Sequence, residues 1–267
     1  MKYGFIGCGN MGGALIRCAA KSAKKGEITI ADKDAKKCDA LAKESGAIVS
    51  DNRSIAENCD FIFLGVKPQY LAEMLGEIKD VLAARKGRFV LVSMAAGTPI
   101  EKIKELAGNF PVIRIMPNLP VAVGEGMILY DSADVKASEL KAFLAVMKAA
   151  GVLCPIEEKL IDAGSAVSGC GPAYAFMFIE ALADGGVYCG LPRDKAQLLA
   201  AQTLLGSAKL LMETGKHPGE LKDAVCSPGG TTIAGVMALE EGSFRSDAAD
   251  AVIAAYEKTL ELKNGNK

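Results

Sequence analysis

Lys2-Tyr3-Gly4-Phe5-Ile6-Gly7-Cys8-Gly9-Asn10-Met11-Gly12 opens the chain and decides its fold. Residues 2–6 read as a short buried strand, and an amphipathic helix runs from the last glycine toward Lys25. The spacing between them is G-x-G-x-x-G. In a strand–turn–helix setting those glycines make a tight turn, let a pyrophosphate approach bare backbone, and let the helix pack closely on the strand. The next strand, Glu27-Ile28-Thr29-Ile30-Ala31, ends at Asp32, about 20 residues past the last glycine, where an acid bonds an adenosine ribose. The opening therefore predicts a dinucleotide-binding unit, with Gly7, Gly9, Gly12 and Asp32 at the cofactor.

Working outward, strand and helix alternate as far as about residue 155. Strands are predicted near 2–7, 27–31, 46–49, 60–66, 88–93, 111–116, 126–130 and 151–154. Amphipathic segments near 11–24, 34–45, 69–84, 99–107 and 136–150 separate most of them. This is an α/β pattern. It predicts a Rossmann domain over residues 1–156, a doubly wound and mostly parallel sheet that binds ligands at the carboxyl ends of its strands. Notable residues follow three strands: Val66-Lys67-Pro68, Ser93-Met94-Ala95-Ala96-Gly97 and Met116-Pro117-Asn118-Leu119-Pro120. From 157 to 267 only helical periodicity remains, which predicts a second, all-α domain. Its segment 193–213 is too apolar for a surface helix and reads as a domain core or a subunit interface.

Composition narrows the partners. The 267 residues are 50% hydrophobic and 24% charged, enough for one or two domains with a sizeable core. A net charge of −1 gives no reason to expect nucleic acid or an acidic membrane. No signal peptide is expected, nor an apolar run of the ~18 residues that a membrane span needs. The eight cysteines, at 8, 18, 38, 59, 154, 170, 189 and 226, form no C-x-x-C pair, and there is one histidine to help them. They read as small buried thiols in a reducing cytosol, which predicts a cytoplasmic protein with no metal centre.

The helical half carries its own motif, Cys226-Ser227-Pro228-Gly229-Gly230-Thr231-Thr232-Ile233-Ala234. Pro-Gly-Gly makes a tight turn, and the threonines lead into an apolar-periodic helix whose first N–H groups have no intrahelical partners. Free N–H groups, two hydroxyls and the positive end of a helix dipole suit a carboxylate or phosphate. The plain alternative is an ordinary N-capped helix. Acid–base chemistry is sparse. His217 lies beside Pro218 at a helix start and reads as a capping or surface residue, Lys67 sits at the sheet's carboxyl edge, and Glu180 and Asp184 read as solvated or capping groups. This scarcity favours a substrate that is already electrophilic, such as a protonated imine, reduced by a hydride donor held against it.

The stretches Gly4–Gly12, Val66-Lys67-Pro68, Met116-Pro117-Asn118, Ser168-Gly169-Cys170-Gly171-Pro172-Ala173-Tyr174 and Ser227–Thr232 together resemble the pyrroline-5-carboxylate reductases. The resemblance covers essentially the whole chain. It implies reduction of 1-pyrroline-5-carboxylate to L-proline by NADPH or NADH, the last step of proline biosynthesis. It also implies a helical domain that interlocks with a second subunit, with dimers often joined in a ring. Carried over, the cofactor lies along Gly9, Asn10, Met11, Lys67, Pro68, Ala95 and Asn118. The substrate carboxylate falls to Val225, Ser227, Gly229, Gly230, Thr231 and Thr232, and Thr232, whose hydroxyl is placed near the ring nitrogen, is the catalytic candidate. Leu119 stands where the family often has threonine, and Cys170 where it often has serine. A 3-hydroxyacid dehydrogenase is the alternative of the same fold, but it needs a lysine shortly after residues 169–172, where Tyr174 and Phe176 stand. A non-enzymatic dinucleotide sensor is the other. On cofactor choice, Asp32 favours NADH, while Lys33, Lys36 or Lys37 is available to neutralise a 2′-phosphate, so use of both is expected.

Overall fold

The computed structural model describes residues 1–263. In chain order the elements are β1 (Tyr3–Ile6), α1 (Asn10–Ala20), β2 (Ile28–Ala31), α2 (Ala35–Ser45), β3 (Ile48–Val49), α3 (Asn52–Asn58), β4 (Phe61–Leu64), α4 (Pro68–Ala84) and β5 (Val90–Ser93). Then come α5 (Ile100–Ala107), β6 (Val112–Met116), β7 (Gly126–Ala133), α6 (Ala137–Met147), β8 (Gly151–Pro155) and α7 (Glu158–Ser168). The remainder is helical: α8 (Gly171–Tyr188), α9 (Arg193–Thr214), α10 (Pro218–Val225), α11 (Thr231–Glu241) and α12 (Phe244–Lys263). All eight predicted strands form one sheet in the order β3-β2-β1-β4-β5-β6-β7-β8. The first six run parallel, β7 is antiparallel to β6, and β8 is parallel to β7. The order 3-2-1-4-5-6 is that of a Rossmann sheet, with its switch point between β1 and β4.

Buried strands with period 2 supply both faces. Phe5, Phe61, Phe63, Val92 and Ile113 pack under α1, α2 and α6, whereas Ile6, Ile62, Leu64, Leu91 and Val112 face α3, α4 and α5. The Phe5 and Phe63 rings stack across β1 and β4 with centroids 4.1 Å apart. Helix α3 was not expected from the sequence. It is seven residues long, buries only Ile55 and Ala56, and is started by Asp51, whose carboxylate accepts the Ser54 N–H at 2.8 Å. So short an element shows no helical period.

The chain packs as two compact units, one of Met1–Gly169 with the last helix from Tyr256 onward, the other of Cys170–Ala255. Helix α7 thus belongs by its packing to the sheet unit, where it lies on β6 and β7. Helical periodicity marks an element, not the body it packs against. What holds α7 is a buried charge cluster. Arg114 of β6, 2% exposed, donates to Asp162 at 2.9 Å and to Glu158 at 3.2 Å. Lys263 donates to the other oxygen of Asp162 at 3.1 Å, and Glu158 also accepts the Ile100 N–H at 2.7 Å, which starts α5.

The second unit has a thin core. Only Ala183, Ala196 and Ala200 form its buried cluster, with Ile179 and Val187 packed beside them. Large apolar side chains stay exposed, among them Leu198, Leu205 and Met212 of α9. One expectation needs correcting. Among the described residues, the stretch Glu158–Tyr188 is long and apolar enough by composition to cross a membrane. The Gly169–Pro172 break hid this, because no charged side chain lies between Asp162 and Glu180 on either side of it. The ion pairs of Glu158 and Asp162 with Arg114 nonetheless seat the first half of this stretch on the sheet.

The glycine turn shows why α1 sits where it does. Gly7 has φ +106°, and a Cβ on Gly12 would lie 2.2 Å from the Gly7 carbonyl oxygen. Gly12→Ala is therefore expected to destabilise the fold by about 1–3 kcal/mol through overpacking. Gly76, inside α4, has nothing within 4 Å of the same position. There Gly76→Ala is expected to stabilise by about 0.5–1 kcal/mol, because alanine lowers the conformational entropy of the unfolded chain. Urea denaturation of the two variants checks this; equal shifts would refute the packing argument.

Candidate active site

A cleft of about 480 Å³ opens at the switch point, between the ends of β1, β2 and β4. Gly7 and Gly9 form its floor, Gly65, Val66 and Lys67 one wall, and Asp32, Lys33 and Lys37 the other. The three motif glycines divide the work. Gly7 makes the turn and Gly12 seats the helix, while a Cβ on Gly9 would meet nothing within 4 Å. Gly9 is also the N-cap of α1, with no side chain capping the helix and no acidic residue in its first turn. An open main chain with unclaimed N–H groups at a dipole's positive end fits the pyrophosphate of a dinucleotide. Gly65 was missed by the sequence reading. Its own Cβ would come within 2.9 Å of the Gly7 oxygen, so it keeps the wall close to the turn, and its only signal is a glycine at a strand's end.

Asp32 stands in the cleft with its carboxylate already engaged. It accepts the Cys8 N–H at 2.6 Å and the Asp34 N–H at 2.9 Å, and so fastens the glycine turn to the start of α2. Cys8 itself is buried, with its sulfur 3.7 Å from that of Cys38. Burial, and then the neighbouring Cys38 thiol, push the Cys8 thiol well above its ordinary value, so it stays protonated and is no nucleophile.

Of the predicted cofactor positions, Gly7, Gly9, Asp32 and Lys67 meet in this cleft. Asn10 and Met11 form the first turn of α1 with Gly12 behind them, and Pro68 opens α4. Ala95 and Asn118 follow β5 and β6 at the same carboxyl edge but do not line the cleft. Asn118 is 9% exposed and braces its surroundings: its amide donates to the Ser168 carbonyl at 2.9 Å, and its oxygen accepts the Met127 N–H at 2.9 Å. Tyr70, Asn52 and Glu77 also line the cleft and carried no motif in the sequence.

In the second unit the Pro-Gly-Gly turn has the geometry its composition demands. The Gly230 N–H donates to the Ser227 carbonyl at 3.0 Å across Pro228 and Gly229, and Gly229 has φ +67°. Proline at the first corner and a left-handed glycine at the second make this a tight turn. Gly230 is the N-cap of α11, again with no capping side chain and no acid in the first turn. The ordinary capped helix is therefore not what the chain builds. Thr231, Thr232, Ser227 and Val225 are exposed around the bare helix start.

Acid–base groups are engaged elsewhere. His217 caps α10, its Nδ1 accepting the Gly219 N–H at 3.1 Å. Asp184 pairs with Arg193. Tyr174 donates to the Ala251 carbonyl at 3.1 Å, and burial raises its phenol above the usual value.

Comparison with known proteins agrees with this geometry. The profile described as "Pyrroline-5-carboxylate reductase dimerisation" matches residues 158–262, and that described as "NADP oxidoreductase coenzyme F420-dependent" matches residues 2–97. The chain is 41% identical over 265 residues to the pyrroline-5-carboxylate reductase of Arabidopsis thaliana, covering 98% of this chain and 95% of that one. The solved pyrroline-5-carboxylate reductase of Coxiella burnetii superposes with a TM-score of 0.90 at 32% identity, over 98% of each chain. That of Plasmodium falciparum, a pyrroline carboxylate reductase with NADP bound, superposes with a TM-score of 0.86 at 34% identity, over 100% of this chain and 98% of that one. Near-complete coverage at these identities, on a sheet and turn built as described, means that the chain belongs to the pyrroline-5-carboxylate reductase family.

Proposed function

We infer that this chain reduces 1-pyrroline-5-carboxylate to L-proline with NAD(P)H. The observation that carries the mechanism is the uncapped start of α11 behind a Pro-Gly-Gly turn. It offers N–H groups and two threonine hydroxyls to a carboxylate, with no acidic side chain to compete. Bound in the cleft, NAD(P)H supplies the hydride. The first-turn N–H groups of α1 hold the pyrophosphate, and Lys67 lies at the edge where the strands end. At the other site Val225, Ser227, Gly229, Gly230, Thr231 and Thr232 hold the substrate carboxylate. Thr232 Oγ1 accepts the ring N–H of the protonated imine, which orients the C=N carbon for attack. No side chain has to remove a proton from carbon or oxygen, which is consistent with a site whose histidine and tyrosine are otherwise bonded. A hydroxyacid dehydrogenase would need a basic side chain where Tyr174 and Phe176 stand.

Residues 157–267 act in this reading as the dimerisation and substrate-binding domain. The second unit's exposed leucines find their cover in a second copy, and the apolar Glu158–Tyr188 stretch faces protein, not lipid. Dimers join into a ring of dimers. Eight free thiols suit the reducing cytoplasm.

The direct test is loss of reduced-nicotinamide absorbance on adding the pyrroline substrate. No turnover with either nucleotide would refute the assignment. Thr232→Ala is expected to lower kcat about 10- to 100-fold, the worth of one positioned hydrogen bond in a dry site. NAD(P)H affinity, measured by fluorescence titration, should hardly change; unaltered kcat would remove Thr232 from the site. Light scattering at micromolar concentration is expected to show dimers or larger assemblies, and a stable monomer would refute the proposed cover for α9.

A further inference from the structure

Three lysines follow Asp32, and the structure separates them. Lys36 does not line the cleft. Lys37 does, but its Nζ lies 3.7 Å from Asp34, the residue that caps its own helix. Lys33 is placed differently. Its side chain is 78% exposed, and it reaches across the cleft to α4, with Nζ 3.6 Å from Glu73 and 5.8 Å from the centre of the Tyr70 ring. Tyr70 lines the same cleft and is half exposed.

We propose that Lys33 is the residue by which this chain accepts a 2′-phosphorylated nucleotide, docked on Tyr70 and Glu73 until the phosphate draws it away. This rests on the reading of the cleft as the dinucleotide site. The dock is weak by construction: an exposed ion pair and a distant cation–ring contact hold little against solvent. A phosphate monoester carries more charge than one carboxylate and presents several strong acceptor oxygens, so it outcompetes Glu73 for the ammonium. Asp32, the obvious source of repulsion, is restrained at the same time. Two backbone N–H dipoles already point at its two oxygens, which offsets part of its charge and keeps it turned toward the glycine loop. A ribose diol can still reach its remaining lone pairs, so NADH binds without Lys33. When Lys33 leaves its dock, the Tyr70 face is open to the adenine. One mobile cation thus gives the site its use of both nucleotides.

Equilibrium titration with NADPH, NADH and adenosine 2′,5′-bisphosphate tests this on the whole protein. Lys33→Ala is expected to weaken NADPH and the bisphosphate about tenfold and NADH less than about twofold, because only the former carry the charged phosphate. Glu73→Gln, which removes the competing carboxylate, should tighten NADPH about two- to threefold and leave NADH unchanged. Lys33→Arg should retain NADPH binding. Equal loss of both nucleotides in Lys33→Ala, or no loss of either, overturns the role of Lys33 while the cleft stands. Failure of the unaltered protein to bind any of the three overturns the reading of the cleft itself.

Discussion

The carboxyl edge of the sheet depends on how closely α1 lies against β1. Gly12 brings the first turn of the helix onto the Gly7 carbonyl, and Gly65 lets the end of β4 close from the other side. Both obstacles are main chain, so no substitution elsewhere makes room for a side chain at either place. Gly4 is different, because a Cβ there would meet the side chains of Ile55 and Cys59, which smaller residues would relieve. The unclaimed N–H groups of α1 therefore reach the cleft by backbone geometry alone. Asp32 completes the arrangement by tying the Cys8 amide to the start of α2.

Asp34, Asp51 and His217 cap α2, α3 and α10 with their own side chains. Helices α1 and α11 share a glycine at the N-cap, with no side chain over the helix start. A capping carboxylate at either place would satisfy the same N–H groups that a pyrophosphate or a substrate carboxylate uses, and would repel the ligand besides. Leaving those ends bare costs stability, about 1 kcal/mol for each missing cap.

Much of this was legible in the sequence, for identifiable reasons. Strands such as Phe61-Ile62-Phe63-Leu64 are buried on both faces and stand out as apolar runs, so the sheet was read strand for strand. The glycine spacing fixed the turn because only one strand–helix geometry uses it. Helix α3 escaped because Asn52–Asn58 is too short to show a period. The Arg114 cluster escaped because its members lie far apart in the chain and an arginine inside a β-strand gives no hint of which carboxylates face it. Asp32 was read as a ribose ligand, yet its bonds to Cys8 and Asp34 depend on loop conformations that residue type does not specify. The choice among Lys33, Lys36 and Lys37 likewise depended on which way each side chain leaves its helix or loop.

The thin core of the second unit has a consequence for how the protein is made. Gly186, Ala183, Ala196 and Ala200 let α8 and α9 approach closely, which turns the larger leucines outward. Residues up to Gly169 leave the ribosome first and contain nearly everything the sheet needs to close. The helices emerge later with little apolar surface to bury against one another, and they stay adhesive until a second chain arrives. With a second copy as the proposed cover, maturation is a bimolecular event, and the yield of active enzyme is expected to rise faster than the rate of synthesis.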